Sequence, residues 1–260
     1  MGYMTKDSIM KRLKEHYHEA SKYGNLVGIF LQGSQNYVDD SFLESSDIDS
    51  FAIYMPNERE ICLGIDISRP DLIMDNGEVI TVKDVRSFIG LLRKPSVNNF
   101  EPLFTEYYYI NEEYQDFYES LVDIRERIVR HDKKKFLMAV MGISQRDIKR
   151  MTKASPGEEE DIKTYGYSRK RLANILRYEL VSSMYISGAP FTSCLKAMDQ
   201  ELIKKIRTEE IYELTEATEL AKTTSEQTTR TAKRFAETSD DSVLGELEDI
   251  LVDILSRQFK

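Results

Sequence analysis

The chain has 260 residues, of which 41% are hydrophobic and 31% charged, a composition typical of a soluble globular protein. Its apolar runs, such as Leu26–Leu31, are far shorter than the roughly 20 residues that a membrane helix needs, so we expect no membrane association. The net charge of −9 argues against a protein whose whole surface binds nucleic acid.

The N-terminal part of the chain alternates helical and strand patterns. Met1–Asp7 contains no apolar signal core, so we expect no export and a cytoplasmic location. Amphipathic spacing predicts a helix over Asp7–Tyr23, and the continuous apolar run Leu26–Leu31 predicts a buried central strand. Further strands are predicted at Phe51–Met55 and Glu78–Val82.

The chain changes character at about residue 113. Before it, Val85–Leu92 is predicted as a helix capped by Asp84, and Thr105–Ile110 as a further strand. After it, the patterns are helical only, although Thr208–Glu237 has few large apolar residues and its burial stays open. We predict an α+β fold, with a small mixed sheet and helices in residues 1–112 and an all-helical domain in residues 113–260.

Cysteine and histidine give no metal-binding pattern. Cys62 and Cys194 are interpreted as reduced thiols, with a single disulfide as the alternative. His16, His18 and His131 have no zinc-ligand spacing and are interpreted as surface residues.

Polar residues flank the first two long strands in a pattern that points to phosphate and metal chemistry. Gly33 and Ser34 follow the first strand, and their backbone N–H groups and hydroxyl suit phosphate oxygens. Asp47 and Asp49 open the next strand, where a period of two puts both carboxylates on one face. Such a carboxylate pair favours Mg²⁺. Either motif alone has an ordinary reading as a turn or a solvated loop, and their combination carries the hypothesis.

A third carboxylate on a neighbouring strand would complete a two-metal site. Glu78, at the start of a predicted strand, is our choice, and Asp84 is the rival, although Asp84 looks more like a helix cap. The two metals would stabilise the attacking and leaving oxygens of an in-line displacement.

The arrangement of Gly33-Ser34 and Asp47-x-Asp49 resembles the core motif of the DNA polymerase β superfamily of nucleotidyltransferases. The longer strings 32–37 and 46–49 are similar to a branch found in bacteria and their phages, some members of which are linked to RNA repair. Similarity continues at Phe88–Lys94 with Glu101–Phe104, and at Gly166–Lys170 with Leu176-Arg177, so that the resemblance extends from about residue 29 to residue 188.

The resemblance implies a polymerase-β-like catalytic domain and a role for each matching residue. Gly33 and Ser34 would hold the β- and γ-phosphates of an NTP. Asp47, Asp49 and Glu78 would hold Mg²⁺ (or Mn²⁺), and Glu78 would also help to deprotonate the acceptor hydroxyl.

A helical segment further along supplies candidate contacts to the nucleotide. Lys170, Asn174 and Arg177 are spaced to share one helix face, which would meet the triphosphate or, in the alternative reading, be a solvated basic face.

The predicted activity is transfer of a nucleoside monophosphate from an NTP to a hydroxyl acceptor, with release of pyrophosphate. Arg125–Arg177 contains fifteen basic and seven acidic residues, a local charge of +8 that favours an RNA acceptor such as a transfer-RNA-like end. The alternatives are nucleotidylation (AMPylation-type) of a protein Ser, Thr or Tyr, and a non-catalytic binding module such as a phage factor acting on a host protein. Which NTP is used and the oligomeric state stay open.

Overall fold

A computed structural model of the chain describes residues 5–33, 36, 47–155, 157–198, 201–209, 212–235 and 239–259. The chain forms two compact units, Met1–His131 together with Asp240–Lys260, and Asp132–Ser239. These units group the residues differently from the predicted domains, 1–112 and 113–260. The predicted α+β class is confirmed, because a five-stranded mixed sheet with helices precedes a mainly helical region.

The first unit contains the sheet. Its strands are β1 Leu26–Gln32, β2 Asp49–Tyr54, β3 Leu72–Ile73, β4 Val79–Asp84 and β5 Tyr108–Ile110. The order across the sheet is β3-β4-β2-β1-β5, in which β2 and β4 are parallel and the other neighbours are antiparallel. The four predicted strands are therefore confirmed as β1, β2, β4 and β5, with ends that shift by a few residues.

Helices make up most of the remaining chain. Those of the first unit are α1 Lys6–Ala20, α2 Glu58–Cys62, α3 Val85–Leu92, α4 Val97–Phe104, α5 Gln115–Arg130 and α12 Ser242–Ser256. Those of the second unit are α6 Lys133–Arg150, α7 Glu159–Tyr165, α8 Arg169–Ile186, α9 Phe191–Leu195, α10 Glu201–Thr208 and α11 Leu214–Arg234. Within the described residues, none of these helices has the length and apolar character that crossing a bilayer requires.

The two faces of the sheet pack against different helices. The face that α1 covers carries alternate residues of the inner strands: Ile29, Leu31, Ile48, Ala52, Ile80 and Val82. The opposite face carries Phe30, whose ring lies 5.3 Å from Tyr118 of α5, and Phe51, whose ring lies 5.7 Å from Phe88 of α3. Because strand side chains alternate between faces, every residue of β2 and β4 can be assigned to the α1 face or to the α3/α5 face.

Gly28 allows β5 to lie close beside β1. A Cβ atom at this position would lie 2.6 Å from the Ile110 side chain and 2.9 Å from the Tyr109 carbonyl oxygen. The Ile110 side chain could turn away, but the Tyr109 oxygen belongs to the backbone of β5, so a side chain at position 28 would have to displace the neighbouring strand.

The C-terminal helix α12 belongs to the sheet-containing unit. Arg127 of α5 pairs with Glu246 at 2.5 Å, and Arg257 pairs with Asp116 at 2.7 Å. Exposed ion pairs contribute little stability individually, so the apolar side of α12, with Val243 and Leu247 buried, supplies most of the attachment. The sequence pattern predicts a helix in this segment, but it does not indicate that the helix packs against α5.

The second unit has a core of closely packed helices in which α6, α8 and α11 contact one another. The buried residues of α11 are small: Ala217, Ala221, Thr224, Ser225, Thr228 and Ala232. Ser144 of α6 donates a buried hydrogen bond to Ser225 at 3.0 Å. Small side chains bring helix axes close together, which explains how a segment with few large apolar residues is buried.

Candidate active site

The end of β1 and the start of β2 lie side by side. Gln32 is the register partner of Asp49, and Gly33, which follows it, has a φ of 95°. Glycine adopts this conformation without the steric cost that a Cβ atom would impose, so the chain can turn out of the sheet here. Ser34, the predicted hydroxyl partner of the triphosphate, lies outside the described residues.

Exposure alternates along the segment that carries the two aspartates. Asp47 and Asp49 are exposed, whereas Ile48 and Ser50 between and after them are both 0% exposed. Ile48 belongs to the core under α1, so the two carboxylates lie on the other side of the strand. The segment therefore presents two carboxylates in one direction, next to Gly33.

Two neighbouring carboxylates provide an oxygen-only donor set, which suits Mg²⁺ or Mn²⁺ in its chemistry. Among the residues that the structure describes, no group of three or more His, Cys, Asp or Glu side chains is arranged to hold a metal ion. Asp47 and Asp49 thus supply the donor atoms that such a metal prefers, and a third protein ligand is not identified among the described side chains.

Glu78 does not join the two aspartates. It immediately precedes β4 and shares the α1 face with Ile80 and Val82, whereas Asp49 lies on the opposite face. Its carboxylate is 2% exposed and has partners on that inner side. The structure therefore places Glu78 on the α1 face and does not bring it onto the face of Asp49, as a shared metal site on one face would require.

The Glu78 carboxylate is the centre of a buried polar network. Its Oε1 accepts a hydrogen bond from the Ile48 backbone N–H at 2.9 Å. Its Oε2 accepts from Asn76 Nδ2 at 2.8 Å and lies 2.9 Å from His16 Nε2, and Arg12 forms an ion pair with the same carboxylate. Four groups therefore compensate the burial of one negative charge.

Burial favours the neutral form of His16 in this network. Burial, with a smaller contribution from the positive charge of Arg12, lowers the pKa of His16 to about 4. A carboxylate has no proton to give, so Nε2–H donates to Glu78, and Nδ1 accepts from the Ser50 hydroxyl at 2.8 Å. Both ring nitrogens are thereby satisfied without a charge.

The interpretation of the histidines as surface residues is correct for His18 and wrong for the other two. His16 is 0% exposed and His131 is 4% exposed, with its Nδ1 2.6 Å from the Ile128 carbonyl oxygen. A signal for His16 was present, since it continues the helical stripe of Leu13 and Ala20. The two cysteines, both among the described residues, are thiols and form no disulfide.

Asp84, the rival third carboxylate, is a helix cap as its sequence context indicates. Its Oδ1 accepts a hydrogen bond from the Arg86 backbone N–H at 2.7 Å, and its Oδ2 pairs with the Arg86 guanidinium at 2.5 Å. Asp84 is the register partner of Tyr54, at the opposite end of β2 from Asp49. Five residues of strand span about 16 Å, so Asp84 is remote from the two aspartates.

Glu101 is a buried carboxylate that the site prediction did not include. It lies in α4, is 4% exposed, and accepts a hydrogen bond from the Gly33 backbone N–H at 3.2 Å. Helix α4 contacts α3 and α5, which cover the face of the sheet that carries Asp49. The sequence signal was a lone acid among the buried apolar residues of α4, and the resemblance had included it only as part of a matching string.

The contact from Glu101 bears on the phosphate-binding role expected of Gly33. The Gly33 N–H, predicted to hold a phosphate oxygen, donates to a carboxylate oxygen in this structure. The Gly33 N–H is thus oriented to bind an anion, and in this structure that anion is the Glu101 carboxylate.

The candidate nucleotide-binding residues of α8 belong to the second unit. Lys170 is exposed, Asn174 is half-buried and lies near Asp147, and Arg177 is only 5% exposed. The predicted cationic face is thus partly buried, which differs from a solvated basic face. Burial, and secondarily the charge of Arg177, lowers the pKa of Arg207, so two guanidinium groups lie near each other in this unit.

Part of the basic region is neutralised within the second unit. Arg171 pairs with Glu158 at 2.7 Å and with Asp147 at 3.2 Å. Arg169 likewise pairs with Asp161 at 2.9 Å. Other cations are exposed at the end of α6 and just after it, namely Arg146, Lys149, Arg150 and Lys153. Arg146 also lies 3.7 Å from Asp147, whereas Lys149, Arg150 and Lys153 add exposed positive charge at this end of α6.

Comparison with known proteins assigns no family to this arrangement. No family model matches the chain, and no curated protein matches it either. The nucleotidyltransferase resemblance consequently depends on the site residues themselves and enters below as a proposal.

Proposed function

We propose that the chain is a metal-dependent nucleotidyltransferase that transfers a nucleoside monophosphate from an NTP to a hydroxyl group. The observation that carries this proposal is the pair of exposed carboxylates, Asp47 and Asp49, on one side of a strand start beside Gly33. Two neighbouring carboxylates repel each other, and a divalent ion bound between them would relieve that repulsion.

The chemistry divides between the divalent ions and the protein. Bound Mg²⁺ would offset the negative charge that the attacking oxygen, the triphosphate and the leaving pyrophosphate bring together. Asp47 and Asp49 would hold it, and the turn at Gly33 would receive the triphosphate. The acceptor hydroxyl would give its proton to solvent water and its oxygen would bond to the α-phosphorus, while the bond from that phosphorus to the bridging oxygen would break and pyrophosphate would leave with the electron pair.

An RNA acceptor is supported by the exposed cations Arg146, Lys149, Arg150 and Lys153. Clustered cations that contact phosphates release counterions from RNA, so binding weakens steeply as salt rises.

The test uses the full-length chain with each of the four α-labelled NTPs and Mg²⁺ or Mn²⁺. Total RNA is offered in one reaction and lysate protein in another. We expect label on RNA, and we expect Asp47→Asn or Asp49→Asn to reduce it about a hundredfold or more, since a metal supplies several kcal/mol.

Asp123→Asn, an exposed residue of α5, is the matched control because it removes the same charge elsewhere. Label on protein instead of RNA would retain the metal chemistry and reject the RNA acceptor. No label on either, or label that survives both aspartate variants, would reject the proposed function.

A further inference from the structure

The inner side of the segment carrying the two aspartates is held by the network around Glu78. The Ile48 N–H, midway between Asp47 and Asp49, donates to Glu78 at 2.9 Å. The Ser50 hydroxyl, on the next inward-facing residue, bonds to His16 at 2.8 Å. Both residues that flank Asp49 in sequence are thus fixed from the α1 side.

Fixing these inward groups constrains where the outward carboxylates point. In extended backbone, consecutive side chains are directed to opposite faces, so a rotation at Ile48 or Ser50 would turn Asp47 and Asp49 as well. Because β2 begins only at Asp49, Asp47 lies before the strand and has no place in its ladder. The Glu78 contact extends the restraint by one residue into that part of the segment.

Burying the polar and charged groups of this network costs desolvation free energy, which points to a role that apolar residues could not fill. His16, Ser50 and Glu78 are at most 2% exposed, and they lie on a face otherwise filled by apolar side chains. Apolar residues of similar size would bury there without the desolvation cost of a carboxylate. What they could not supply is a directional bond to the backbone between the two aspartates.

We propose that His16 and Glu78 are positioning residues, which hold the Ile48–Ser50 backbone so that Asp47 and Asp49 keep the spacing needed for a divalent ion. This inference rests on the proposed function. Groups that orient metal ligands without touching the ion commonly affect metal affinity by about 10–100-fold when they are removed.

The experiment measures Mn²⁺ binding to the full-length chain without NTP, from the EPR signal of the unbound ion. The variants are His16→Gln, which replaces one neutral side chain by another, and Glu78→Gln, which removes the central acceptor charge. We expect both to weaken Mn²⁺ binding about tenfold. Amide hydrogen exchange at Ile48 should also become faster in Glu78→Gln.

The matched control is Tyr54→Phe. The Tyr54 hydroxyl donates to the Ala20 carbonyl oxygen at 2.6 Å, so this variant also removes a buried hydrogen bond between β2 and α1. It lies at the far end of β2, and we expect wild-type Mn²⁺ affinity whatever stability is lost. Should His16→Gln fail to fold, Ser50→Ala, which removes only the hydroxyl that donates to His16, becomes the deciding variant.

Asp49→Asn separates the two proposals. If wild-type Mn²⁺ binding depends on Asp49 while His16→Gln and Glu78→Gln bind like Tyr54→Phe, the positioning role is rejected and the proposed function stands. If Mn²⁺ binding is indifferent to Asp49, the proposed function fails and the positioning role fails with it.

Discussion

Protonation of His16 provides a test of the buried network that needs no substrate. The pKa of this histidine is lowered from 6.5 to about 4, mainly by burial and secondarily by Arg12. A lowered pKa means that the folded state favours the neutral ring, whereas the unfolded chain takes up a proton near pH 6.5. The contribution of His16 to stability is therefore complete above that pH and is lost as the pH falls toward about 4.

The size of this effect follows from the pKa difference. Each unit corresponds to about 1.4 kcal/mol, so the shift from 6.5 to about 4 sets a limit of about 3 kcal/mol. Solvent screening reduces such effects, and we expect about 2 kcal/mol of the free energy of unfolding to disappear across this range. A loss of that size is a large fraction of the roughly 5–15 kcal/mol that is typical for the free energy of unfolding of a folded protein.

The assay is urea unfolding of wild type and His16→Gln at about pH 7.5 and about pH 4.5, because the other titrating groups are common to both proteins. Wild type should lose about 2 kcal/mol more than the variant between these conditions. An equal loss in both proteins would mean that the ring is not held neutral by its surroundings. A greater loss in the variant would reverse the assigned sign and refute the reasoning.

Three further changes test other parts of the structure. Gly28→Ala should lower the free energy of unfolding by about 1–3 kcal/mol through contact with β5, as urea unfolding would show, whereas Gly90→Ala in α3, which meets nothing within 4 Å, should not. Glu101→Ala should lower it by about 1–3 kcal/mol by removing the acceptor of the Gly33 N–H, and Glu101→Gln, which keeps an oxygen acceptor, should retain most of that stability in the same assay. If RNA contacts the end of α6, the double variant Lys149→Ala, Arg150→Ala should reduce the slope of log affinity against log salt by about two in filter-binding titrations; an unchanged slope would exclude that surface.

Local patterns were sufficient for most of the secondary structure. The apolar run Leu26–Leu31 and the capped helix after Asp84 are signals that each segment carries in itself, and both elements appear as predicted. The short strand Leu72–Ile73 has no such signal, because two residues show no periodicity and its pairing to β4 comes from the sheet. The attachment of the C-terminal helix to α5 likewise depends on partners more than a hundred residues away.

In the candidate site, too, some features follow from the local sequence and others depend on contacts with distant parts of the chain. Asp47 and Asp49 are exposed and Ile48 and Ser50 are buried, an alternation that follows from the two-residue period of extended backbone and can be predicted from the local sequence. The burial of Arg177 does not, since it depends on how helices of the second unit pack around α8. Glu101 approaches Gly33 across 68 positions of sequence, a contact that no spacing rule anticipates.

The position of Glu78 shows that a difference of one residue along a strand determines which face of the sheet a side chain lies on. Parallel strands can place carboxylates together, but only when the residues that share a face are also neighbours across the ladder. Here Asp49 is paired with Val79, so the side chain next to it on its own face belongs to an apolar residue, and Glu78 is directed to the α1 side. The sequence predicts both strands and identifies their acidic residues, but it does not predict that Asp49 pairs with Val79. Because a carboxylate on the inner face can still bond to the backbone between two outer ones, the acid that looked like a metal ligand is better placed to hold the ligands' own backbone in position.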